Sequence, residues 1–358
     1  MPMPAPVKPL AAEDLEHVLA HTRELWAEAR GQSFFLTGGT GFFGMWLLES
    51  FAHANDALGL GMNALVLTRD PAAFAARAPH LAKRGDLRFV AGDVRSFPIP
   101  AERVTHVIHA ATASGAPVGP EETTAVIVDG TRRVLEAARR MEARRLLYVS
   151  SGAVYGPQPP DLATLAEDFA GVPPAADPQH AYGRGKRAAE QLCLEAWRAG
   201  GPEPVIARGF AFVGPHLPLD AHFAIGNFIR DALAGEPMRI RGDGTPRRSY
   251  LYMADLALWL WTLLFRGRPG RAYNVGSGAD LAIAEVAAVV DRVHGGRGDI
   301  LVVGKPVPGA PAARYVPDVS RAARELGLVP RIGLDDAIRR TSRWQVDLSG
   351  PNPVKSSP

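Results

Sequence analysis

A glycine-rich loop between a strand and a helix constrains the fold of this chain more than any other feature. Residues 33–37 (Ser-Phe-Phe-Leu-Thr) are a short, apolar, aromatic-rich run typical of a buried strand. Gly38, Gly41 and Gly44 follow, and a helix is predicted from Gly41 to about Ala54. Glycines at this spacing allow a tight turn, close approach of the backbone to a pyrophosphate, and close helix–strand packing. The pattern predicts a dinucleotide site on the helix N-terminus.

Strands and helices then alternate along most of the chain. Further strands are predicted at 64–68, 87–90, 104–109, 145–149 and 204–208, and helices near 121–142 and 182–198. This spacing favours right-handed βαβ units. The predicted fold class is therefore α/β, a Rossmann-like doubly wound parallel sheet with a smaller C-terminal substrate-binding region.

Composition and turn signals suggest four stretches. Residues 1–31 are an N-terminal extension with a helix over about 13–30, and residues 32–215 are mainly the dinucleotide-binding domain. Residues 216–348 are mainly a substrate-binding region, with some return to the Rossmann sheet. The polar, proline-rich residues 349–358 are expected to be a disordered tail.

The composition excludes several classes of function. Forty Lys and Arg residues against 37 Asp and Glu give a net charge of only +3, which predicts no nucleic-acid surface. Cys193 is the only cysteine, so no intramolecular disulfide forms, and a reducing, cytoplasmic location is expected. No secretory signal or apolar stretch of about 18 residues is found, so no membrane partner is predicted. The scattered histidines predict no metal site.

The end of the second strand bears on the choice of cofactor. Thr68 stands where an acidic residue usually binds the adenosine ribose, and Arg69 follows it, as suits a 2′-phosphate. NADP(H) is therefore favoured over NAD(H). If the strand runs two residues longer, Asp70 becomes the ribose ligand, and NAD(H) is the expected cofactor instead. Asp93, followed by Val94, either lies near the adenine amino group or belongs to an ordinary turn.

A tyrosine and a lysine are candidates for acid–base chemistry. Tyr182 and Lys186 are spaced i and i+4, which places them one turn apart on one helix face. A neighbouring ammonium and an oxidised nicotinamide both favour the phenolate, so this tyrosine could exchange a proton with a carbinol or carbonyl oxygen. Ser150 and Ser151 stand at a strand end, where a hydroxyl either orients the reacting oxygen or merely caps the strand.

Taken together, these motifs resemble the extended short-chain dehydrogenase/reductase family. Within it, the chain looks like the NAD-dependent epimerase/dehydratase group acting on nucleotide sugars. The resemblance rests on the glycine loop, on Ser-Ser-x-x-Val-Tyr-Gly at 150–156 and on Tyr-x-x-x-Lys at 182–186, in that order, and it covers about residues 32–340.

The resemblance implies roles for individual residues. It makes Ser151, Tyr182 and Lys186 the catalytic residues of a nucleotide-sugar enzyme. The residues expected to bind the cofactor are Gly38, Thr40, Gly41, Phe42, Phe43, Gly44, Thr68, Arg69, Asp93, Val94, His109, Ala110, Ala111, Tyr182 and Lys186. The residues expected to contact the substrate are Thr112, Ser151, Gly152, Phe210, Asn227 and Arg248. Helices near 121–142 and 182–198 resemble those that form a dimer interface, so a homodimer is expected.

Departures from the family pattern narrow the expected reaction. The 4,6-dehydratases carry Asp-Glu where this chain has Gly152 and Ala153, and sugar-nucleotide decarboxylases carry Glu at Ala153. Neither side chain moves a proton, which weakens both of those alternatives. The remaining reactions are 4-epimerisation and reduction of a 4-keto sugar. Ile127 replaces an asparagine common in relatives. A non-catalytic dinucleotide sensor or scaffold on the same fold is the alternative from another class.

Overall fold

The structure, a computed structural model, describes residues 6–112, 119–221 and 223–349. Its α-helices are α1 (Ala12–Thr22), α2 (Phe42–Leu58), α3 (Pro71–Arg77), α4 (Pro79–Ala82), α5 (Pro120–Arg140), α6 (Ala181–Arg198), α7 (Ala224–Ala234), α8 (Met253–Arg266), α9 (Ile283–Val293), α10 (Ser320–Leu326) and α11 (Leu334–Ser349). Short 3₁₀ helices cover Leu25–Ala29, Gly152–Tyr155 and Pro178–His180. Of the predicted tail, Ser349 ends α11 and residues 350–358 lie outside the described residues.

The strands form one large sheet and three small ones. They are β1 (Ser33–Thr37), β2 (Asn63–Thr68), β3 (Leu87–Ala91), β4 (His106–His109), β5 (Arg145–Ser151), β6 (Glu203–Gly209), β7 (Phe212–Val213), β8 (Met238–Ile240), β9 (Arg247–Arg248), β10 (Leu251–Tyr252), β11 (Ala272–Val275), β12 (Leu281–Ala282), β13 (Ile300–Val302) and β14 (Arg314–Tyr315).

The large sheet has the strand order of a doubly wound fold. In the described part of the chain, seven strands pair in the order β11-β6-β5-β4-β1-β2-β3, and every pair is parallel. The chain direction across the sheet reverses between β1 and β4, which is where such sheets bind ligands. This architecture confirms the predicted fold class.

Helices cover both faces of this sheet because its strands are apolar on both faces. In β1, Phe34 and Leu36 join the core on the side of α2 and α8, whereas Phe35 joins the core on the side of α5 and α6. Continuous apolar strands of this kind are expected where a parallel sheet is buried on both sides. Trp259 and Trp261 on α8 are fully buried.

The N-terminal extension packs against α8 and the last helix. The single helix expected over about 13–30 is instead α1 followed by a 3₁₀ helix, Leu25–Ala29, in which Trp26 is fully buried. Asp14 is buried on α1, accepts a hydrogen bond from the Tyr252 hydroxyl at 2.7 Å, and pairs with Arg340 at 2.8 Å. These contacts join the extension to the core.

The part of the chain after residue 215 returns to the large sheet. Helix α8 packs on β5 and β6, and β11 adds an edge strand beside β6. The small sheets are β10-β7, β12-β9-β14 and β13-β8, and all of their strands except β7 follow residue 215. Among the described helices, none is both long enough and apolar enough to cross a lipid bilayer.

Candidate active site

The glycine loop forms a tight cradle at the carboxyl end of β1. Gly38 has a φ of +74°, and a Cβ there would stand 2.6 Å from the carbonyl carbon of Ala110. A Cβ on Gly44 would lie 2.3 Å from the Gly38 carbonyl oxygen, so the packing of α2 on the loop requires glycine. Gly41 is the N-cap of α2 and has no side chain to cap the first N–H groups. These N–H groups suit a pyrophosphate, and the cradle fits a dinucleotide.

One cavity of about 1300 Å³ runs from this loop to the predicted catalytic residues. The predicted site residues that line it are Gly38, Thr40, Gly41, Phe42, Phe43, Thr68, Arg69, Asp93, Val94, Ala110, Ala111, Thr112, Ser151, Tyr182, Lys186, Phe210 and Arg248. Four others do not line it: Gly44, His109, Gly152 and Asn227. The sheet topology thus brings together residues that are up to about two hundred positions apart.

Lys186 is a buried cation that lines the bottom of the cavity. Its Nζ donates a 2.8 Å hydrogen bond to the Val149 carbonyl, and it lies 5.0 Å from the ring centre of Tyr148 and 5.8 Å from that of Tyr182. Burial lowers the pKa of Lys186 to about 8, although the carboxylate of Glu190 opposes the change. The lysine is therefore held in place by the strand that carries Ser151.

Tyr182 faces two hydroxyls. Burial raises the pKa of its phenol above the ordinary value of 10.0, while the hydroxyls of Thr112 and Ser151 oppose the rise. At neutral pH the phenol is consequently protonated, the form that donates a proton to a developing alkoxide. The sequence-based expectation that the neighbouring lysine favours the phenolate is not what dominates here, because burial of the ring has the larger effect.

The two adjacent serines have different surroundings. Ser150 donates a 2.5 Å hydrogen bond to Glu190, whose carboxylate also pairs with Arg208 at 2.7 Å. Ser151 is the last residue of β5, and its Oγ lies 3.4 Å from the hydroxyl of Tyr315. Ser150 thus supports the buried ion pair, and Ser151 is the serine whose hydroxyl is available at the site.

Tyr315 is a site residue that the sequence does not reveal. It lines the cavity, and its ring stacks on Phe210 with centroids 4.7 Å apart. In the small sheet, β14 pairs with β9 so that Tyr315 lies beside Arg248, whose guanidinium carbon is 5.9 Å from the tyrosine ring. A two-residue strand has no periodic signal, so only the long-range pairing of β14 places this hydroxyl next to Ser151.

His109 lies in a buried hydrogen-bond chain and makes no wall of the cavity. Its Nδ1 is 2.7 Å from the Thr37 hydroxyl and its Nε2 is 3.0 Å from the Thr131 hydroxyl. Thr131 donates its own proton to the carbonyl of Ile127, so it accepts from His109 Nε2–H, and Nδ1 accepts from Thr37. Burial lowers the pKa of His109 to about 3. The neutral ring links β1 and β4 to α5, and its contact with a cofactor stays a prediction.

Asn227 and Gly152 do not line the cavity, and their substrate contacts stay predictions. The Asn227 amide donates to the carbonyls of Leu219 and Ala221, both at 2.8 Å, so it holds the segment before α7. A Cβ on Gly152 would come within 2.7 Å of Phe210 and of the Tyr315 hydroxyl, so glycine here lets those rings approach β5.

The opposite end of the cavity is rich in arginine. Asp70, the alternative ribose ligand, accepts a 2.8 Å hydrogen bond from the Ala73 N–H and caps α3. Asp93 is held by Arg95 at 2.8 Å, and this hydrogen bond is the main reason that the pKa of Asp93 is lowered. Arg69 lines the cavity as predicted, and Arg77, at the end of α3, lines it as well. Arg77 was not identified from the sequence, since it lies nine residues beyond Thr68.

A seven-stranded parallel sheet with a glycine-loop cradle and a Ser-Tyr-Lys site defines a dehydrogenase-like, Rossmann-type protein. The model of the NAD dependent epimerase/dehydratase family matches residues 34–276, so the chain belongs to that family. This confirms the resemblance noted from the motifs.

Curated relatives and solved structures agree with this membership. The chain is 28% identical to UDP-glucuronic acid decarboxylase 1 of Arabidopsis thaliana, over 85% of this chain and 68% of the relative. It is 26% identical to dTDP-glucose 4,6-dehydratase of Streptomyces niveus, over 90% of this chain and 97% of the relative. A dTDP-glucose 4,6-dehydratase from Streptomyces venezuelae, solved with NAD, superimposes with a TM-score of 0.72 at 25% identity, covering 87% of this chain and 96% of the other.

A fourth comparison extends the fold to epimerases. A mutant UDP-glucuronic acid 4-epimerase from Bacillus cereus, solved with NAD and a fluorinated UDP-glucuronic acid, superimposes with a TM-score of 0.74 at 22% identity. The alignment covers 88% of this chain and 99% of the epimerase. At this identity the likeness shows the fold alone.

Proposed function

We propose that this protein is an NAD(P)-dependent enzyme that transfers a hydride to or from carbon 4 of the sugar ring of a nucleotide-diphosphate sugar. The reaction is 4-epimerisation or reduction of a 4-keto sugar, with Tyr182 as the acid and base. One observation carries the proposal: Ser151, Tyr182 and Lys186 meet in the cavity that begins at the glycine loop. A sensor or scaffold has no need of such a convergence.

The residues of the chain divide the chemistry between them. A bound nicotinamide supplies the hydride acceptor and donor for the sugar carbon. Tyr182 donates its proton to the sugar oxygen when a carbonyl is reduced. In the reverse direction its phenolate, which the positive charge of Lys186 favours, takes the hydroxyl proton. Ser151 hydrogen-bonds the same oxygen and orients it. Lys186, fixed on the Val149 carbonyl, supplies positive charge beneath Tyr182.

Arg248 is the proposed contact for the substrate's diphosphate. Its Nη1 donates to the Arg247 carbonyl at 2.8 Å, and among the described residues no acidic side chain pairs with it. An arginine fork donates two parallel hydrogen bonds to phosphate oxygens and stays charged. Relatives named for UDP- and dTDP-sugars support a nucleotide-diphosphate substrate.

NADP(H) is the proposed cofactor in preference to NAD(H). Arg69 faces the cavity, whereas the carboxylate of Asp70 is used to cap α3. Several structural neighbours were solved with NAD, so the preference needs a direct measurement.

We further propose a cytoplasmic homodimer that associates through α5 and α6, which pack against each other in the chain.

Decarboxylation of a nucleotide uronic acid is a second candidate. The sequence similarity of the chain to UDP-glucuronic acid decarboxylases supports it. Its structural support is Arg248, which lies beside Tyr315 close to Ser151 and would bind a sugar carboxylate as readily as a phosphate. Oxidation of such a sugar at carbon 4 yields a β-keto acid, which loses carbon dioxide without a further catalytic acid.

Dehydration in the 4,6-dehydratase manner has less support. Among the described residues, the carboxylates that line the cavity are Asp93 and Glu122, and Arg95 pairs with both. Gly152 and Ala153 carry no ionisable group. After oxidation at carbon 4, elimination of water takes a proton from carbon 5 and the hydroxyl from carbon 6, and this requires such a group beside the sugar.

Product analysis distinguishes the candidates. The purified protein is incubated with UDP-glucose, UDP-glucuronic acid, dTDP-glucose and a dTDP-4-keto sugar, each with NAD, NADH, NADP or NADPH, and products are identified by NMR and mass spectrometry. A 4-epimer or a 4-hydroxy product supports the proposal. Release of carbon dioxide from UDP-glucuronic acid supports the second candidate instead, and a 4-keto-6-deoxy product refutes both.

The Tyr182→Phe variant tests the proton-transfer role. We expect its kcat to fall roughly 10²- to 10⁴-fold, because the acid and base is removed, while dinucleotide binding by calorimetry stays within about threefold. A Tyr273→Phe variant is the control, because that hydroxyl bonds Glu325 away from the cavity. Unchanged turnover in Tyr182→Phe would refute Tyr182 as the acid and base, whereas unchanged cellular activity of the variant would favour the sensor or scaffold.

A further inference from the structure

We infer that Arg77, together with Arg69, binds the 2′-phosphate on the adenosine ribose of NADP(H) and that Arg77 sets the preference over NAD(H). This inference rests on the proposed dinucleotide site and names a residue that decides which dinucleotide it takes. Four observations support it. Arg77 lies at the cavity, its charge has no carboxylate partner among the described residues, the nearby carboxylates are already hydrogen-bonded within the protein, and the N-terminal extension holds its backbone.

Arg77 lies where the adenosine ribose belongs in this fold. In doubly wound sheets the ribose hydroxyls sit at the carboxyl end of the second strand, which here is Thr68 and Arg69. Helix α3 starts directly after that strand end, and its last residue, Arg77, lines the same cavity. The guanidinium Nη2 of Arg77 donates to the Thr40 carbonyl in the glycine loop. The side chain therefore bridges α3 and the loop across the edge of the cavity.

The guanidinium of Arg77 is a partly buried cation without a counter-ion. Among the described residues no carboxylate pairs with it, and its Nε is buried without a hydrogen-bond partner. Burial lowers its pKa, as expected for an uncompensated cation. Two other partly buried arginines have a carboxylate partner: Arg208 pairs with Glu190 at 2.7 Å, and Arg340 pairs with Asp14 at 2.8 Å. Arg145 also has a buried Nε without a partner, but unlike Arg77 it does not line the cavity. Arg77 lacks the partner that a bound anion would provide.

The acidic side chains near Arg69 and Arg77, which would repel a phosphate, already have hydrogen-bond partners within the protein. Asp70 caps α3 through the Ala73 N–H, and Asp93 lies in the fork of Arg95. The uncharged ribose diol of NAD would leave Arg69 and Arg77 unneutralised, whereas a 2′-phosphate offers them a dianion. The pyrophosphate common to both cofactors is served by the N-terminus of α2, so it does not account for Arg77.

The N-terminal extension holds the end of α3 in position. The Val7 N–H donates a 2.7 Å hydrogen bond to the Arg77 carbonyl, and Val7 itself lines the cavity. Three residues later, the Leu10 N–H donates to Glu49 on α2 at 2.6 Å. This segment precedes the part of the chain that the family model matches, 34–276. The backbone of Arg77 is thus preorganised by residues specific to this chain's extension.

The test measures binding to the apoprotein, so it does not depend on turnover. Calorimetry gives the Kd of NADPH, NADH, 2′,5′-ADP and 5′-AMP for the wild type, Arg77→Met, Arg77→Lys and Arg88→Gln. Arg88 is the control because it is an exposed arginine on β3, outside the cavity, that pairs with Glu102. Melting temperatures recorded for each variant report on folding.

We expect the wild type to bind NADPH and 2′,5′-ADP more tightly than NADH and 5′-AMP. Arg77→Met should weaken the two 2′-phosphorylated ligands by roughly 10- to 100-fold, as for loss of a charged hydrogen bond, and change NADH by less than about threefold. Arg77→Lys should recover part of the loss, and Arg88→Gln should match the wild type.

Each other outcome has one meaning. Equal weakening of NADPH and NADH in Arg77→Met places the side chain on the pyrophosphate and overturns the inference. A wild type that binds NADH at least as tightly as NADPH also overturns it, while leaving the proposed function intact. Failure of the folded wild type to bind any of the four ligands refutes the proposed dinucleotide site itself.

Discussion

At the residue scale, Lys186 shows that the candidate active site carries an energetic penalty. The side chain is buried with its ammonium on the Val149 carbonyl, and no carboxylate forms a hydrogen bond with it among the described residues. Its pKa of about 8, against an ordinary value of 10.5, corresponds to roughly 3 kcal/mol of unfavourable burial at neutral pH. A residue retained at such a penalty is consistent with a role in chemistry rather than in folding.

The Lys186→Met variant tests this penalty. We expect the free energy of unfolding at pH 7 to rise by about 1–2 kcal/mol, because removing the buried charge outweighs the lost hydrogen bond of about 1 kcal/mol. Urea unfolding followed by circular dichroism measures it.

The pH dependence of that gain has a defined sign. Below pH 8 the wild-type lysine is charged in both states, so the gain is full. Between about pH 8 and 10.5 the folded lysine is already neutral while the unfolded one still binds a proton, so wild-type stability rises and the gain shrinks. A gain that grows with pH above 8 would contradict the assignment.

At the element scale, the glycine loop serves folding and binding through different glycines. Gly44 faces the loop backbone, where a Cβ would stand 2.3 Å from the Gly38 oxygen. Gly41 lines the cavity, and its Cβ would meet only the Gly38 oxygen, at 3.4 Å. Its φ of −89° and ψ of −171° are open to alanine. The same substitution should therefore act on different properties at the two positions.

The pair Gly44→Ala and Gly41→Ala separates these roles. We expect Gly44→Ala to lower the free energy of unfolding by about 3 kcal/mol through overpacking. Gly41→Ala should change it by less than about 1 kcal/mol and weaken dinucleotide binding roughly tenfold or more, because its methyl group enters the space for the pyrophosphate. Denaturation and calorimetry measure the two effects, and equal stability losses in both variants would refute the distinction.

At the scale of the whole molecule, the two ends of the described chain are joined by buried charge. Asp14 on α1 is 1% exposed and contacts both Tyr252 and Arg340 of α11. Burial raises the pKa of Asp14, while its hydrogen bonds with Tyr252 and Arg340 oppose the rise. The neighbouring Glu13 is about half exposed, pairs with the exposed Arg343 at 3.2 Å and lies farther from Arg340, at 3.7 Å. We therefore expect the buried pair Asp14–Arg340 to hold the extension in place and the exposed pair Glu13–Arg343 to contribute little.

Replacing Asp14 should destabilise the whole protein. We expect Asp14→Ala to lower the free energy of unfolding by about 3–5 kcal/mol, because Arg340 and the Tyr252 hydroxyl lose a buried partner. Glu13→Ala, the matched control, should lower it by no more than about 1 kcal/mol. Guanidinium denaturation compares them. Similar losses in the two variants would show that the extension is not held through Asp14.

Local patterns were sufficient to predict the fold class and the centre of the candidate site. Strand, glycine loop and helix follow one another between Ser33 and Ala54, and the demand for glycine at a tight turn is a property of neighbouring residues. The i, i+4 spacing of Tyr182 and Lys186 fixes their shared helix face in the same way. These features involve residues that are close in the sequence.

The remaining contacts depend on residues that are far apart in the chain. Tyr315 reaches Ser151 only because β14 pairs with β9, and Arg77 lines the cavity only because α3 brings its side chain to the Thr40 carbonyl of the glycine loop. The ring of His109 is hydrogen-bonded to both Thr37 and Thr131 and does not line the cavity.

From its sequence alone, this protein is determined to be a Rossmann-like member of a dinucleotide-dependent family with a Ser-Tyr-Lys site. Periodicity, glycine placement and helical spacing are local, and a sequence displays them directly. Only the tertiary structure decides which carboxylates are already paired, which arginines are left without a partner, and which hydroxyl stands beside Ser151. Those outcomes depend on burial and on pairing between distant segments, which no local pattern encodes.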